Sequence, residues 1–175
     1  MAISYTFKCI IVGPAAVGKS SLIRRFVQNH FSLDYKFTIG VDFMAKTLEY
    51  ENEELVKLSI WDIGGQERFK FLRRSFYEGT SGAILVFDLS REQTFSKMKD
   101  WLKDMRNIIQ EEIAMVILGN KSDLLAEVGE VINKKEVQQF AEKEGCVYYE
   151  TSAKSGKNVE KAFIKLARIM VEKNS

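Results

Sequence analysis

Residues 13–20 read Gly-Pro-Ala-Ala-Val-Gly-Lys-Ser. They lie between a continuous β-rich run, Thr6–Val12, and a helical pattern, Lys19–Gln28, that puts Leu22, Ile23 and Phe26 on one face. A strand that turns through spaced glycines directly into a helix commits the chain to a β–loop–α unit, and so to parallel strands joined by helical crossovers. The spacing G-x-x-x-x-G-K-[ST] is the one in which backbone amides wrap a phosphate. Glycine is required where a side chain would collide with that anion, and the helix that follows points its free amides at it. In such a loop Lys19 reaches the β- and γ-phosphates, and the Ser20 hydroxyl serves Mg²⁺. A chance match somewhere in 175 residues is on the order of 1%, and the strand-then-helix setting makes it rarer. Ala15, Ala16, Val17, Gly18, Lys19, Ser20 and Ser21 are therefore candidate nucleotide-binding residues, with Lys19 also catalytic through its charge. The motif does not name the base.

The rest of the chain continues the alternation. Val41–Tyr50 and Leu55–Trp61 are strand-like and joined by the polar Glu51–Glu54, a hairpin signal, and a short helix is expected after Trp61. Ala83–Phe87, Ala114–Leu118 and Cys146–Tyr149 are short apolar strands. Ser90-Arg-Glu-Gln93 fits a capping box ahead of a stripe formed by Phe95, Met98, Leu102, Met105 and Ile109. Asn133 caps a helix through Ala141 that Gly145 stops, and Val159, Ala162, Phe163, Leu166, Ile169 and Met170 mark a final helix. The order predicts one α/β domain over residues 1–175, built in three layers. Its sheet is mixed, six-stranded and mostly parallel, with one antiparallel edge hairpin and about five helices.

Composition sets limits on that domain. Its one proline, Pro14, leaves no Pro-rich linker or stalk, and no apolar run approaches the ~20 residues of a membrane span. A net charge of +2 gives no reason to expect a nucleic-acid partner. Cys9 and Cys146 each adjoin strand-like residues and read as buried thiols of a cytoplasmic protein, with no disulfide or metal role. Arg68, Lys70, Arg73 and Arg74 form a basic run that reads as a solvated face.

Further motifs stand at later strand ends. Asp62-Ile-Gly-Gly65 puts an acidic residue where it suits the outer sphere of Mg²⁺, and Gly65 can offer an amide to the γ-phosphate. Alone, Asp-x-x-Gly is more often a simple turn. Asn120-Lys-Ser-Asp123 follows the strand Ala114–Leu118, and the Asp123 carboxylate can accept from both N1–H and the exocyclic amine of guanine. Adenine lacks that donor pair and would leave the carboxylate unpaired, which gives large discrimination. Ser152-Ala-Lys154 follows the last strand and places a backbone amide near the guanine O6. Each segment alone is an ordinary turn; in this order, at successive strand ends, they point to a guanine nucleotide.

On these residues the chain resembles a small GTPase of the Ras superfamily from about Tyr5 to Met170. Thr38-Ile-Gly-Val-Asp-Phe43, Lys57-Leu-Ser-Ile-Trp61, Arg68-Phe-Lys-Phe71, Phe76-Tyr-Glu-Gly79 and Leu85-Val-Phe-Asp-Leu-Ser90 are most similar to the Rab branch. The resemblance implies a P-loop G domain that binds GTP and GDP with Mg²⁺ and hydrolyses GTP slowly, a switch in vesicle traffic. It also implies a monomer with effector, exchange-factor and GTPase-activating partners. By the same resemblance Thr38 is a second Mg²⁺ ligand when switch I closes, beside Ser20 and with Asp62 behind. Phe31 stacks on guanine, Lys121 covers its other face, and Tyr35, Asn120, Leu124, Ser152, Ala153 and Lys154 complete the nucleotide contacts. Gln66 orients the attacking water, and Phe43, Trp61 and Phe76 form the aromatic triad that effectors read.

Some positions depart from the family. Ala15 stands where Ras proteins carry Gly, and Ile63-Gly64 where Rab proteins usually carry Thr-Ala; the paired glycines predict a more mobile switch II. Ala2 excludes N-myristoylation and no cysteine follows Cys146, so membrane association is expected only through a tail outside this sequence or through a partner. A non-hydrolysing GTP-binding scaffold, set by exchange alone, is the alternative, resting on Ile63 and Gly64. A P-loop kinase of small molecules fits less well, because no arginine-rich lid lies between Phe87 and Asn120.

Overall fold

β1 (Ile3–Val12) carries the first apolar run into the middle of the sheet, with Phe7, Cys9 and Ile11 on one face and Ile10 and Val12 on the other, all buried. Where a strand is covered on both faces it needs apolar residues at successive positions, which is why residues 9–12 do not alternate. The computed structural model describes residues 2–34, 38, 40–65 and 67–175, with residues 67–69 as backbone alone. After β1 come α1 (Lys19–Gln28), β2 (Val41–Glu49), β3 (Leu55–Ile63), α2 (Arg73–Tyr77), β4 (Gly82–Asp88) and α3 (Glu92–Ile108). The chain closes with β5 (Ala114–Asn120), α4 (Leu125–Val128), α5 (Lys134–Lys143), β6 (Val147–Glu150) and α6 (Val159–Asn174). The short helix expected after Trp61 is a 3₁₀ turn over Glu67–Leu72 that runs into α2. α4, a single turn of four residues, brings the described α-helices to six where about five were expected.

The strands lie in the order β2-β3-β1-β4-β5-β6. β3, β1, β4, β5 and β6 run parallel, and β2 pairs antiparallel with β3, as the hairpin signal required. The pairing of Val41 with Ile63 returns the start of β2 to the carboxyl end of β3. Every parallel strand therefore ends on the same side as Thr38 and Gly40, and that is where ligands bind in such sheets. α1 and α6 cover one face, where Phe26 and Phe163 stack at 4.2 Å; α2, α3 and α5 cover the other through Tyr77, Phe95, Trp101, Leu102 and Val137.

Local signals decide where the helices stop and start. Asn133 accepts from the amides of Lys135 and Glu136 and so caps α5. At its other end Gly145, with φ at +70°, lets its own amide reach Glu142 at 3.1 Å and that of Cys146 reach Ala141 at 2.8 Å. The capping box expected at Ser90–Gln93 is not made. The Ser90 hydroxyl donates to the buried Asp88 carboxylate at 2.6 Å, and α3 starts after Arg91 with no side-chain cap. The same Asp88 oxygen takes the Ser90 amide at 2.9 Å, and these two bonds to one charged acceptor hold the Ser90 side chain toward Asp88 instead of over the first amides of α3. Arg73 corrects a second expectation. It is buried beneath the basic run, lying 3.5 Å over the Trp101 ring and bonding Asp104 at 3.2 Å, because its guanidinium is the planar cation that can stack and pair at once.

Cys9 and Cys146 are both free and buried. Burial pushes the Cys9 thiol up to about 12 and the Cys146 thiol up to about 11. Thiolate is the reactive form, so an aromatic disulfide reagent at pH 8 should titrate neither cysteine in the folded protein and both after denaturation. Fast reaction of either in the folded chain would contradict this packing.

Candidate functional site

The loop after β1 crosses the sheet's carboxyl edge and enters α1 through Gly18, whose φ is +98°. A Cβ there would stand 2.3 Å from Nδ2 of Asn120, so glycine is demanded by both conformation and space. Lys19 folds back over the loop, only 6% exposed, and its Nζ donates to the carbonyls of Gly13 and Pro14 at 2.9 Å each. Burial lowers its pKa to about 8, against the pull of Asp62 and with a further push from Arg73. A buried cation whose hydrogen bonds among the described residues go to neutral carbonyls is poised to take a polyanion.

Beside it Ser20 Oγ and Thr38 Oγ1 lie 2.9 Å apart, and both hydroxyls donate to Oδ2 of Asp62, the one from Thr38 at 3.2 Å. Asp62 is buried at the end of β3, and its Oδ1 has no partner among the described residues. Burial raises its pKa, while the Ser20 hydroxyl, Lys19 and the Thr38 hydroxyl pull it down. Gly64 makes this closure possible. Its amide donates to the Gly40 carbonyl at 2.8 Å, and a Cβ on it would meet the Thr38 carbonyl at 2.6 Å.

The other end of the cleft is built from β5 and β6. Asn120 is buried, donates to the Val17 carbonyl at 2.9 Å and accepts from the Thr151 hydroxyl at 3.2 Å, which ties the first loop to both strand ends. Lys121 spans back to the Ala16 carbonyl at 2.9 Å. Asp123 accepts from the Ser152 hydroxyl at 2.8 Å, which orients the carboxylate and leaves lone pairs on both oxygens for a ligand's donors. Arg25 of α1 holds the Ala153 carbonyl at 2.7 Å and that of Lys154 at 2.6 Å.

One cleft of about 280 Å³ gathers most of the residues singled out by sequence. Its walls include Ala15, Ala16, Gly18, Lys19, Ser20 and Ser21 from the first loop, Phe31, Thr38 and Gly65 from the middle of the chain, and Asn120, Lys121, Asp123, Leu124, Ala153 and Lys154. Val17 and Ser152 do not line it: the Val17 side chain is in the core, and Ser152 is buried beneath Asp123. Asp62 sits under Ser20, behind the wall. Tyr35 and Gln66 lie outside the described residues, as does the side chain of Arg68. Phe43, 54% exposed, meets Trp61 edge to face at 4.4 Å, and Phe76 is half-buried against the same core cluster as Trp61.

Sequence reasoning missed Arg24, Ser32, Leu33 and Asp34, which also line the cleft. Arg24 was findable, since it stands one helical turn beyond Ser20 on the same face. Arg91, which reaches the first loop from behind, and Asp88, which holds it, stand in segments read only as a Rab likeness and a helix cap, and nothing in those patterns points to the loop. No helix among the described residues is long and apolar enough to cross a membrane.

A family model described as the Ras family matches residues 8–172. The chain is 43% identical over 161 residues to the Ras-related protein Rab11A of Lotus japonicus, covering 92% of this chain and 70% of that protein. It is 42% identical over 160 residues to the Ras-related protein RGP2 of Oryza sativa subsp. japonica, with 91% and 72% covered. It is also 43% identical over 161 residues to the Ras-related protein RABA4a of Arabidopsis thaliana, with 92% and 70% covered. A mixed sheet with its loops gathered over one cleft, and a match across nearly the whole chain, place this protein in the Ras family as a Rab-like small GTPase.

Proposed function

We propose that this chain is a single G domain acting as a Mg²⁺-dependent guanine-nucleotide switch, which binds GTP and GDP and hydrolyses GTP slowly to GDP and phosphate. The observation that carries it is the convergence of Lys19, Ser20, Thr38, Asn120, Lys121 and Asp123 on one cleft from loops far apart in sequence. The phosphates lie along residues 15–20 with Lys19 between β and γ, and guanine lies between Phe31 and Lys121 with its donor edge on Asp123.

The donor set fits Mg²⁺. Two hydroxyls and one carboxylate converge, and the orphaned Oδ1 of Asp62 marks a place for a polar partner. The described residues hold no group of three His, Cys, Asp or Glu side chains able to grip a metal by themselves. That suits an ion that keeps its waters and shares phosphate oxygens. Ser20 and Thr38 would ligate it, with Asp62 in its outer sphere. When bound, Mg²⁺ supplies charge neutralisation at the β- and γ-phosphate oxygens. Lys19 adds a second cation there, and Gln66 orients the water for in-line attack, giving turnover of ~10⁻⁴ per second without an activating protein. Single-turnover hydrolysis by wild type and Gln66→Leu tests the catalytic assignment: at least tenfold slower turnover in the variant supports it, and equal rates remove Gln66 from the mechanism.

Gly64→Ala tests the closure of switch I. The added methyl displaces Thr38, so the gain in GTP-analogue affinity that Mg²⁺ brings should shrink about tenfold. Affinity measured in EDTA should stay as in wild type. An undiminished Mg²⁺ effect would show that Thr38 does not need this close approach.

Phe43, Trp61 and Phe76 are the residues through which effectors read the nucleotide state; Phe43 is exposed and meets the half-buried Trp61 edge to face, and aromatics reaching the surface mark a partner site. A role in vesicle traffic, with effector, exchange-factor and activating partners, follows from the Rab likeness.

A further inference from the structure

The carbonyls of Ala15, Ala16 and Val17 are held from behind by side chains of other loops. Asn120 takes Val17 at 2.9 Å and Lys121 takes Ala16 at 2.9 Å, and both belong to the base-reading segment. Arg91 does not. It stands between β4 and α3, and its Nη2 donates to Ala16 at 3.0 Å and to Ala15 at 3.4 Å. Its Nε donates to Oδ2 of buried Asp88 at 3.0 Å, and the same oxygen takes Lys121 Nζ at 3.1 Å. Oδ1 of Asp88 is fixed by the Ser90 amide at 2.9 Å and hydroxyl at 2.6 Å. Burial would raise the Asp88 pKa, yet the Ser90 bonds, Lys121 and Arg91 together hold it below the usual carboxylate range.

A peptide whose carbonyl is pulled outward turns its amide the opposite way. Ala16 sits at φ +64°, a conformation that a non-glycine residue keeps only when its surroundings impose it. We infer that Arg91, keyed by Asp88, is a positioning residue: by holding the Ala15 and Ala16 carbonyls it turns the amides of Ala16 and Val17, which share their peptide planes, toward the cleft where the phosphates lie. Through Asp88, shared with Lys121, it also couples the phosphate loop to the base-reading loop. The inference rests on the assignment of the cleft to a guanine nucleotide. Arginine suits this position because its planar fork spreads the contacts, Nε to the carboxylate and Nη2 to two carbonyls, whereas a lysine at 91 would have to meet all three acceptors from one point at the end of its stem.

The test compares wild type, Arg91→Ala and Arg91→Lys as full chains with circular dichroism at 25 °C, release of fluorescent GDP, and competition by GDP, GMP and ADP. Loss of a charge-assisted bond to the loop should speed GDP release about 10- to 100-fold in both variants. The preference for GDP over GMP should fall, because GMP lacks the β-phosphate, and the preference for GDP over ADP should persist. The lysine variant keeps charge and stem, so it should remain folded while releasing fast. The inference is overturned by release within twofold of wild type, by full rescue with lysine, or by equal weakening of GMP and GDP. A wild-type protein that binds no guanine nucleotide overturns the assignment of the cleft itself, a separate failure.

Discussion

Lys19→Ala is expected to lower GDP affinity by roughly 10²–10⁴-fold, the cost of leaving buried anionic oxygens without their cation. Fluorescent-GDP titration with Mg²⁺ present measures it. The sign of the accompanying stability change makes the prediction sharper. Without nucleotide the Lys19 ammonium is buried against two carbonyls and its pKa falls to about 8. Removing it should therefore leave the nucleotide-free protein as stable as wild type or more so, by about 1 kcal/mol. Affinity and stability should move in opposite directions. Loss of both together would mean that Lys19 is a structural residue of the loop and not a ligand-binding one.

Asp123→Ala should collapse the choice of base. A carboxylate oriented by the Ser152 hydroxyl keeps lone pairs on both oxygens for the paired donors of guanine, and only an unpaired, desolvated carboxylate penalises adenine strongly. Sites built on such a hydrogen-bond demand discriminate by about 10⁴–10⁵-fold. The GDP-to-ADP affinity ratio, taken by competition, should fall by at least about 10²-fold in the variant, with GDP weakened and ADP gaining. A ratio unchanged by the substitution would place base selection elsewhere, for instance in the amides of Ala153 and Lys154.

These effects can be predicted from sequence because the residues concerned are fixed by local pattern. The phosphate loop is legible as spaced glycines between a strand and a helix, and Asp123 as a motif at a strand's end. The mostly parallel sheet with one antiparallel hairpin follows from alternation plus the hairpin signal, and α1 falls on its predicted residues, Lys19–Gln28. What could not be read is set by contacts between distant segments. Ser90 has the spacing of a cap, yet its hydroxyl goes to Asp88, whose burial depends on β5 and on Lys121. Arg73 sits in a run of charge that looks solvated, and only the placement of Trp101 on α3 gives it a buried partner. Gly64 reads as a source of mobility. Folded, it is the gap into which the Thr38 carbonyl fits, a relation visible only once β2 and β3 are paired.

Purified protein, prepared with Mg²⁺ and no added nucleotide, tests the central claim most directly. Its retained ligand is released by denaturation and identified by anion-exchange chromatography, and GTP loaded in its place is then followed over hours. The account predicts guanine nucleotide at close to one per chain, mostly GDP, and a slow conversion of loaded GTP to GDP that depends on Mg²⁺. Retained adenine nucleotide, or displacement of bound GDP by ATP as readily as by GTP, would contradict it.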